Sequence, residues 1–472
     1  MPERDALSQV RELAHQAFSR AAGASLIEGN SVRLLKNGEE NYPAWIAAIR
    51  GAKHHVHFEN YIVHDDEVGR LFADALIAKA TEGVTVRLVY DWLGCLGKAS
   101  RGFWKRLRAG GVEVRCFNRP RWHSPLGWLS RDHRKTVSVD GVVGFVSGLC
   151  VGRAWVGAPE KKIEPWRDTG VEVRGPCVAA IEQAFAATWA TLGDPIFEPA
   201  SLGEVVRVRA GSAALRVVAT LPATAGLLRV DELVAALAKS RLWLTDAYFA
   251  GTTGYIESLC AAAKDGVDVR LLVPNATDIP LLKSLSRAGY RPLLNAGVRI
   301  FEWNGPMIHA KTSVADSRWA RVGSTNLNIA SWFGNCELDV VVEDAHFARQ
   351  MEESYLQDLA NATELVLDTR NKVQVPNEPL RRPRRARGGG STGRAAAGAI
   401  RIGNAVGASF TNRRVPESSE ARLTLTGGVV LLVLAIVFAF FPRLLAYPIV
   451  CTFAWIAVGL LYKGYRLTAG AR

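Results

Sequence analysis

One eight-residue pattern occurs twice in this chain, each time at the same place in a longer repeat. His133-Arg134-Lys135-Thr136-Val137-Ser138-Val139-Asp140 and His309-Ala310-Lys311-Thr312-Ser313-Val314-Ala315-Asp316 both read HxKxxxxD. The flanking sequence repeats as well. HFENY at His57–Tyr61 is followed by Phe72, Ala75 and Leu76, then by Gly83-Val84-Thr85-Val86-Arg87-Leu88. LTDAYF at Leu244–Phe249 is followed by Ile256, Leu259 and Ala262, then by Gly266-Val267-Asp268-Val269-Arg270-Leu271. Each copy predicts a strand, an amphipathic helix, a glycine that ends it and a second, alternating strand. A further pair begins at Ala109-Gly110-Gly111-Val112 and at Ala296-Gly297-Val298. The copies lie about 185 residues apart, too long a period for a solenoid. The chain must therefore build two similar α/β units, with βα elements around mixed or parallel sheets.

The spacing inside the motif carries chemistry. Residues i and i+2 of a strand share a face, so the His and Lys of each copy project together and the Asp falls near the strand's end. If two such strands meet at a pseudo-twofold axis, His133, Lys135, His309 and Lys311 converge on one pocket. Two ammonium groups can hold a phosphate and stabilise its equatorial oxygens. One imidazole can attack phosphorus while the other protonates the leaving oxygen. That chemistry needs no metal and no cofactor. His15, His54, His55 and His346 lack such a partner motif and read as structural histidines.

The duplicated HxKxxxxD resembles the signature of the phospholipase D superfamily, over about residues 30–370. Gly323-Ser324-Thr325-Asn326 is similar to the family's GSxN, which implies that Ser324 and Asn326 contact the phosphoryl site. Glu337 resembles the acid that orients a histidine. Trp166-Arg167-Asp168-Thr169 followed by Gly175-Pro176 resembles the matching segment of bacterial cardiolipin synthases and makes Asp168 the orienting acid of the first half. Phe58-Glu59-Asn60-Tyr61, Asp65-Asp66, Tyr90-Asp91-Trp92-Leu93-Gly94, Asn37–Pro43 and Arg131–Lys135 resemble the same subgroup, in its short form without N-terminal transmembrane helices. The resemblance implies two pseudo-symmetric α/β sandwich domains around one active site. It implies a phosphatidyltransferase working through a phosphohistidine, with His133 as nucleophile, His309 as acid and then base, and Lys135 and Lys311 on the phosphoryl oxygens. Asp140 and Asp316 complete the motifs as braces. With phosphatidylglycerol as donor and acceptor, the products are cardiolipin and glycerol. The same residues would serve a phospholipase D hydrolase or an exchange with another alcohol; a nucleic-acid phosphodiesterase and a lipid-binding scaffold are remoter readings.

Two features depart from the pattern. Where the family's first half reads GGxN, this chain has Ser147-Gly148-Leu149-Cys150. A thiol is a weak hydrogen-bond partner beside an amide, so the first half loses a phosphoryl contact. Buried cysteine is an inert small hydrophobe as a rule, so Cys150 is not read as a nucleophile. Between the matched valine and histidine lie 21 positions in the first half (Val112 to His133) against 11 in the second (Val298 to His309). The extra segment, about Arg119–Ser130, carries Trp122, Leu126, Trp128 and Leu129, suited to a lid or to a membrane interface.

The 472 residues divide on this reading into an N-terminal helix (1–29), two repeats (30–204 and 205–376), a linker (377–422) and a tail (423–472). The net charge of +13 is uneven. Glu378–Arg422 has ten Arg against three acidic residues, and Leu423–Arg472 has four basic residues and no acid. The body keeps 13 − 7 − 4 = +2, a poor basis for a nucleic-acid groove. Leu423–Phe441 and Leu444–Tyr462 are uncharged runs of 19 residues separated by Pro442 and Arg443. Each is long enough to cross a bilayer. They predict a two-pass hairpin, and arginines and lysine on both flanks place its ends, and the catalytic body, on the cytoplasmic side of the cell membrane. The arginine-rich linker suits an anionic membrane surface. Seven scattered cysteines without a CxxC argue against a disulfide framework or a zinc site and fit a reducing compartment.

Overall fold

The computed structural model describes residues 15–120, 130–158, 160, 163–196, 208–275, 289–367, 373–374 and scattered positions between 436 and 461. The chain forms two compact units, one of Met1–Phe117 with Arg131–Ala405, the other of Asn118–Ser130 with Val406–Arg472. Both repeats belong to the first, apart from Asn118–Ser130. Among the described residues no helix is long and apolar enough to cross a membrane. The linker 377–422, the greater part of the tail 423–472 and the tryptophan-bearing segment 121–129 lie outside the described residues.

The first repeat builds a mixed sheet. Strands β2 (His55–Asn60), β3 (Thr85–Asp91) and β4 (Glu113–Phe117) run parallel. Helices Glu67–Thr81 and Arg101–Ala109 make the crossovers, capped by the side chains of Asp66 and Ser100. β6 (Lys135–Val139) then pairs antiparallel with β2. β7 (Val143–Ser147), β8 (Thr169–Arg174) and β1 (Ile27–Lys36) follow, each antiparallel to its neighbour. The second repeat has the same strand order. β12 (Arg299–Trp303), β11 (Asp268–Pro274) and β10 (Arg241–Thr245) are parallel. β13 (Thr312–Ala315), β14 (Trp319–Gly323), β15 (Asn335–Glu343) and β9 (Ala213–Thr220) continue antiparallel. The glycine stops predicted from sequence are present: Gly83 and Gly266 take φ of +89° and +91°, which end the crossover helix and start the next strand.

The halves are not separable bodies. β1 also pairs with β9, so one edge strand belongs to both sheets. Behind this seam a single apolar core takes Val146, Val171 and Val173 from the first sheet and Val322, Leu338 and Val340 from the second. Helices Val178–Thr191 and Ala345–Leu359 complete it through Ile181, Phe347, Met351 and Tyr355. Fully burying each such aliphatic side chain is worth about 1.5–3 kcal/mol, so pulling the halves apart would cost far more than a domain's net stability. Helical residues 15–22 lie on the second half, with Ala22 in its core and Arg216 donating to Ser19 Oγ at 2.6 Å.

Each motif ends in a hairpin turn. Asp140 and Gly141, and likewise Asp316 and Ser317, take positive φ between strands β6 and β7 and between β13 and β14. Two consecutive residues at positive φ suit the twist of a hairpin, and Asp tolerates that region better than most residues.

Candidate active site

The motif histidines lie just before their strands rather than within them, so each backbone amide is available to the other repeat. His133 N–H donates to Cys336 O at 2.9 Å, and His309 N–H donates to Arg167 O at 2.7 Å. Cys336 and Arg167 are the residues that precede Glu337 and Asp168. Backbone pairing continues around both points: β5 (Arg131–Asp132) runs parallel to the start of β15, and Arg167 bridges Ile308. The backbone thus delivers each acid to the opposite histidine. His133 Nδ1 lies 2.9 and 3.0 Å from the Glu337 carboxylate oxygens. His309 Nδ1 lies 2.8 Å from Asp168 Oδ2. The sequence placed each acid with its own half; the pairs in fact cross between halves. With Nδ1 as the donor to a carboxylate, Nε2 carries the lone pair of the neutral ring.

Both lysines are fully buried, and each ammonium donates to the carbonyl of its own motif histidine. Lys135 Nζ also sits 5.0 Å from the Tyr61 ring and Lys311 Nζ 5.9 Å from the Tyr248 ring. The tyrosines pack edge-on against His133 and His309 at 4.7 and 6.0 Å. Burial pushes Lys311 down to about 8, helped by the Lys135 charge and opposed by Asp168. His309 is pushed down to about 4, by burial first and then by Lys311, against the pull of Asp168. Burial acts upward on Asp168, but His309, Lys311 and the Trp155 hydrogen bond outweigh it and hold the carboxyl below its ordinary value. For Glu337 burial wins, and its carboxyl is raised despite Lys135 and the bond from Ser324.

The remaining predicted residues divide. Ser324 Oγ donates to Glu337 Oε2 at 2.6 Å, so it supports the His133 pair. Asn326 is buried, and its Oδ1 has no hydrogen-bond partner among the described residues. Cys150 stands at the place of Asn326 in the first half, fully buried; burial raises its thiol although both lysines pull the other way. A protonated thiol there fits the reading of Cys150 as no nucleophile. Asp140 and Asp316 stand apart from the histidines. Asp140 accepts from the backbone amides of Lys53, His54 and His55 at 2.7–2.8 Å. Asp316 accepts from those of Lys239, Ser240 and Arg241 at 2.8–3.0 Å. They clamp the starts of β2 and β10.

Sequence reasoning missed the roles of three rings. Tyr61 and Tyr248 were visible, since they lie within the repeated HFENY and LTDAYF segments. Trp155 had no repeat partner to mark it; its indole Nε1 donates to Asp168 Oδ2 at 2.9 Å.

A possible metal cluster among the described residues lies away from these groups. His55, His57 and Glu182 bring their ligand atoms within 4.8 Å of one another. His55 Nε2 is 2.7 Å from Glu182 Oε1, which also accepts from Gly141 N–H. In the second half the same place holds an Arg241–Glu352 ion pair, and Glu352 accepts from Ser317 N–H. His55 therefore occupies the position of an arginine, and Arg87 faces His57. The cluster reads as a strut between strand and hairpin turn.

In chemical terms, the site offers two imidazoles with fixed tautomers, two carboxylates and two buried cations, an arrangement suited to displacement at a phosphodiester. Comparison with known proteins agrees. Residues 45–154 and 234–359 match the family described as "Cardiolipin synthase, PLD-like domain". Cardiolipin synthase A of Pseudomonas fluorescens is 34% identical over 358 residues, 74% of this chain and 73% of that protein. Cardiolipin synthase of Alkalihalophilus pseudofirmus is 31% identical over 340 residues, covering 71% and 67%. Among solved structures, phosphatidylserine synthase of Haemophilus influenzae aligns with a TM-score of 0.58 at 14% identity, covering 74% of this chain and 91% of that one. Polyphosphate kinase of Porphyromonas gingivalis aligns at 0.50, also at 14% identity, covering 80% and 53%. These two likenesses concern the fold alone.

Proposed function

This chain belongs to the cardiolipin synthase family and is a phosphatidyltransferase, and we propose that it makes cardiolipin from two phosphatidylglycerol molecules through a phosphohistidine on His133. The observation that carries the reading is the crossed pair of dyads, His133–Glu337 and His309–Asp168, with Lys135 and Lys311 buried beside them. His133 Nε2 attacks the phosphorus of the donor lipid, and the bond from phosphorus to the headgroup oxygen breaks. His309 gives that oxygen a proton, and glycerol leaves. The hydroxyl of a second phosphatidylglycerol then loses its proton to His309 and attacks phosphorus, which frees His133. Lys135 and Lys311 stabilise the equatorial oxygens in both steps. In the free protein His309 is pushed down to about 4. The negative charge of a bound phosphodiester offsets the two lysines and raises His309 toward its protonated form. Ser324 supports Glu337, and Asn326 supplies an amide to the phosphoryl group.

We further propose that the tail 423–472 anchors the protein as a two-pass hairpin and that the body works on the cytoplasmic side. The two uncharged runs and their basic flanks support this.

The test is mass spectrometry of lipids after incubating the full chain with phosphatidylglycerol vesicles, beside His133→Ala. Cardiolipin and glycerol from the wild type alone support the proposal. Phosphatidic acid in their place would mean that water is the acceptor. Transfer only when another alcohol is supplied would point to headgroup exchange.

A further inference from the structure

We infer that Trp155 is a positioning residue for His309, supplying to Asp168 the donor that Ser324 supplies to Glu337. The inference rests on the reading of His309 as the proton-transferring group.

The two dyads occupy equivalent places, but their supports differ. In the second half Ser324 follows β14, and its hydroxyl reaches the Glu337 oxygen that also lies 2.9 Å from His133 Nδ1. In the first half Gly148 follows β7 at the same point. No side chain fits there: a Cβ on Gly148 would lie 3.0 Å from Asp168 Cγ and 3.1 Å from Oδ2, with Oδ1 nearer still. Asp is one methylene shorter than Glu, so its carboxylate stays against its own sheet and fills the space that Ser324 uses opposite.

The missing donor arrives from another direction. Trp155 ends the short turn Arg153–Trp155, and its Nε1 donates at 2.9 Å to Asp168 Oδ2, the oxygen that His309 Nδ1 approaches at 2.8 Å. Asp168 Oδ1 accepts from Thr169 N–H at 2.9 Å. The Trp155 indole is buried and packs edge-on against both Trp166, at 4.9 Å, and His309, at 5.7 Å. Trp166 is tied to the same turn by its N–H on Ala154 O at 2.8 Å.

The two donors are not chemically equivalent. A hydroxyl both gives and accepts, and Ser324 Oγ does accept, from Leu338 N–H at 3.0 Å. An indole N–H can only donate. Trp155 therefore favours the ionised form of Asp168 at all times, which keeps the His309 proton on Nδ1 and its lone pair on Nε2. The charged groups acting on His309 are Asp168, Lys311 and Lys135; those acting on Asp168 are His309 and Lys311. Without the indole N–H, the Asp168 charge has one fewer donor and binds the protonated His309 ring more strongly, so His309 should titrate higher.

The experiment uses the full chain labelled with 15N-histidine and 15N-tryptophan, with the His309 signal identified by its loss in His309→Asn. In Trp155→Phe the His309 titration should move upward, and kcat with phosphatidylglycerol vesicles should fall about tenfold at unchanged KM. Trp166→Phe, which trims a ring packed 5.6 Å from His309 but removes no bond to Asp168, should leave the titration where it is. An unmoved His309 titration in folded Trp155→Phe overturns the inference, as does an equal shift in Trp166→Phe. If Trp155→Phe does not fold, the wild type still decides: the Trp155 indole N–H signal must follow the His309 midpoint, and independence of the two refutes the coupling. A wild type that transfers no phosphatidyl group sinks the proposed reaction, while the titrations still judge Trp155.

Discussion

Gly148→Ala is a one-carbon change that should disable the His309 dyad without unfolding the protein. The new Cβ would stand 3.0 Å from Asp168 Cγ. Non-bonded carbons rest about 3.5–4.0 Å apart, so the carboxyl carbon must retreat by about 0.5–1 Å. It has nowhere easy to go. Thr169 N–H, Trp155 Nε1 and His309 Nδ1 hold its two oxygens at 2.9, 2.9 and 2.8 Å. A shift of that size breaks or lengthens at least one of these bonds and turns the His309 ring. Misplacement by about 1 Å in a catalytic group costs up to about 100-fold. We expect kcat for cardiolipin formation to fall about 10- to 100-fold, with circular dichroism and lipid binding preserved. Ser324→Gly is the reciprocal change in the other half. It deletes one donor to Glu337 but forces no atom to move, and should cost only about tenfold. Radiolabelled phosphatidylglycerol vesicles and thin-layer separation of the product would measure both. Wild-type turnover by Gly148→Ala would refute the claim that this glycine is required by the close approach of Asp168.

Two further outcomes follow from charge and hydrogen bonding. Lys311, held down to about 8, should lose its proton in the free enzyme near that pH, so kcat/KM should fall above about pH 8. A bound phosphodiester raises Lys311, so the limb in kcat should lie higher. Unfolding would not explain this loss. A lysine whose folded value lies below its ordinary 10.5 makes the unfolded chain bind more protons between about pH 8 and 10.5, so stability rises there with pH. Lys311→Arg should remove the limb, whatever it does to the maximal rate. Asp316→Ala should lower stability by about 1–2 kcal/mol and the melting temperature by a few degrees, with kcat within about twofold, because it unties the amides that start β10. Burial acts upward on Asp316, but the three amides and the Ser240 hydroxyl that donate to it hold the carboxyl below the ordinary value. Its contribution is therefore present above pH 3.8 and lost as pH falls through the folded value, which thermal melts of wild type and variant at several pH values would reveal.

The repeat was legible because it is written in local patterns. Alternating VTVRLVY and VDVRLLV, with a glycine before each, predict β3 and β11 and the helix ends they follow, since strand period and helix stop are properties of neighbouring residues. The position of Asp140 and Asp316 was legible for the same reason: seven residues put them at the far end of the strand. The partner of each histidine was not. Glu337 lies 204 residues from His133 and Asp168 lies 141 from His309. Which acid serves which histidine depends on how two sheets pair across an axis, and a motif within one half carries no record of that. Trp155 was hidden more deeply, because its counterpart is not a tryptophan but a serine hydroxyl arriving from a different strand.

A gene duplication that began as a symmetric pair would have given two interchangeable histidines. In this chain they are not interchangeable. His133 is held by the longer acid and a hydroxyl that can reverse its hydrogen bond; its carboxylate is raised by burial. His309 is held by the shorter acid and an indole that cannot reverse, and its carboxylate stays low. A phosphoryl-carrying histidine becomes cationic when its bond to phosphorus forms and neutral when that bond breaks, once per full cycle, and an acid supported by a hydroxyl that can give or accept suits it. A proton-transferring histidine needs one tautomer throughout, and an Asp168 whose carboxyl is held below its ordinary value suits that.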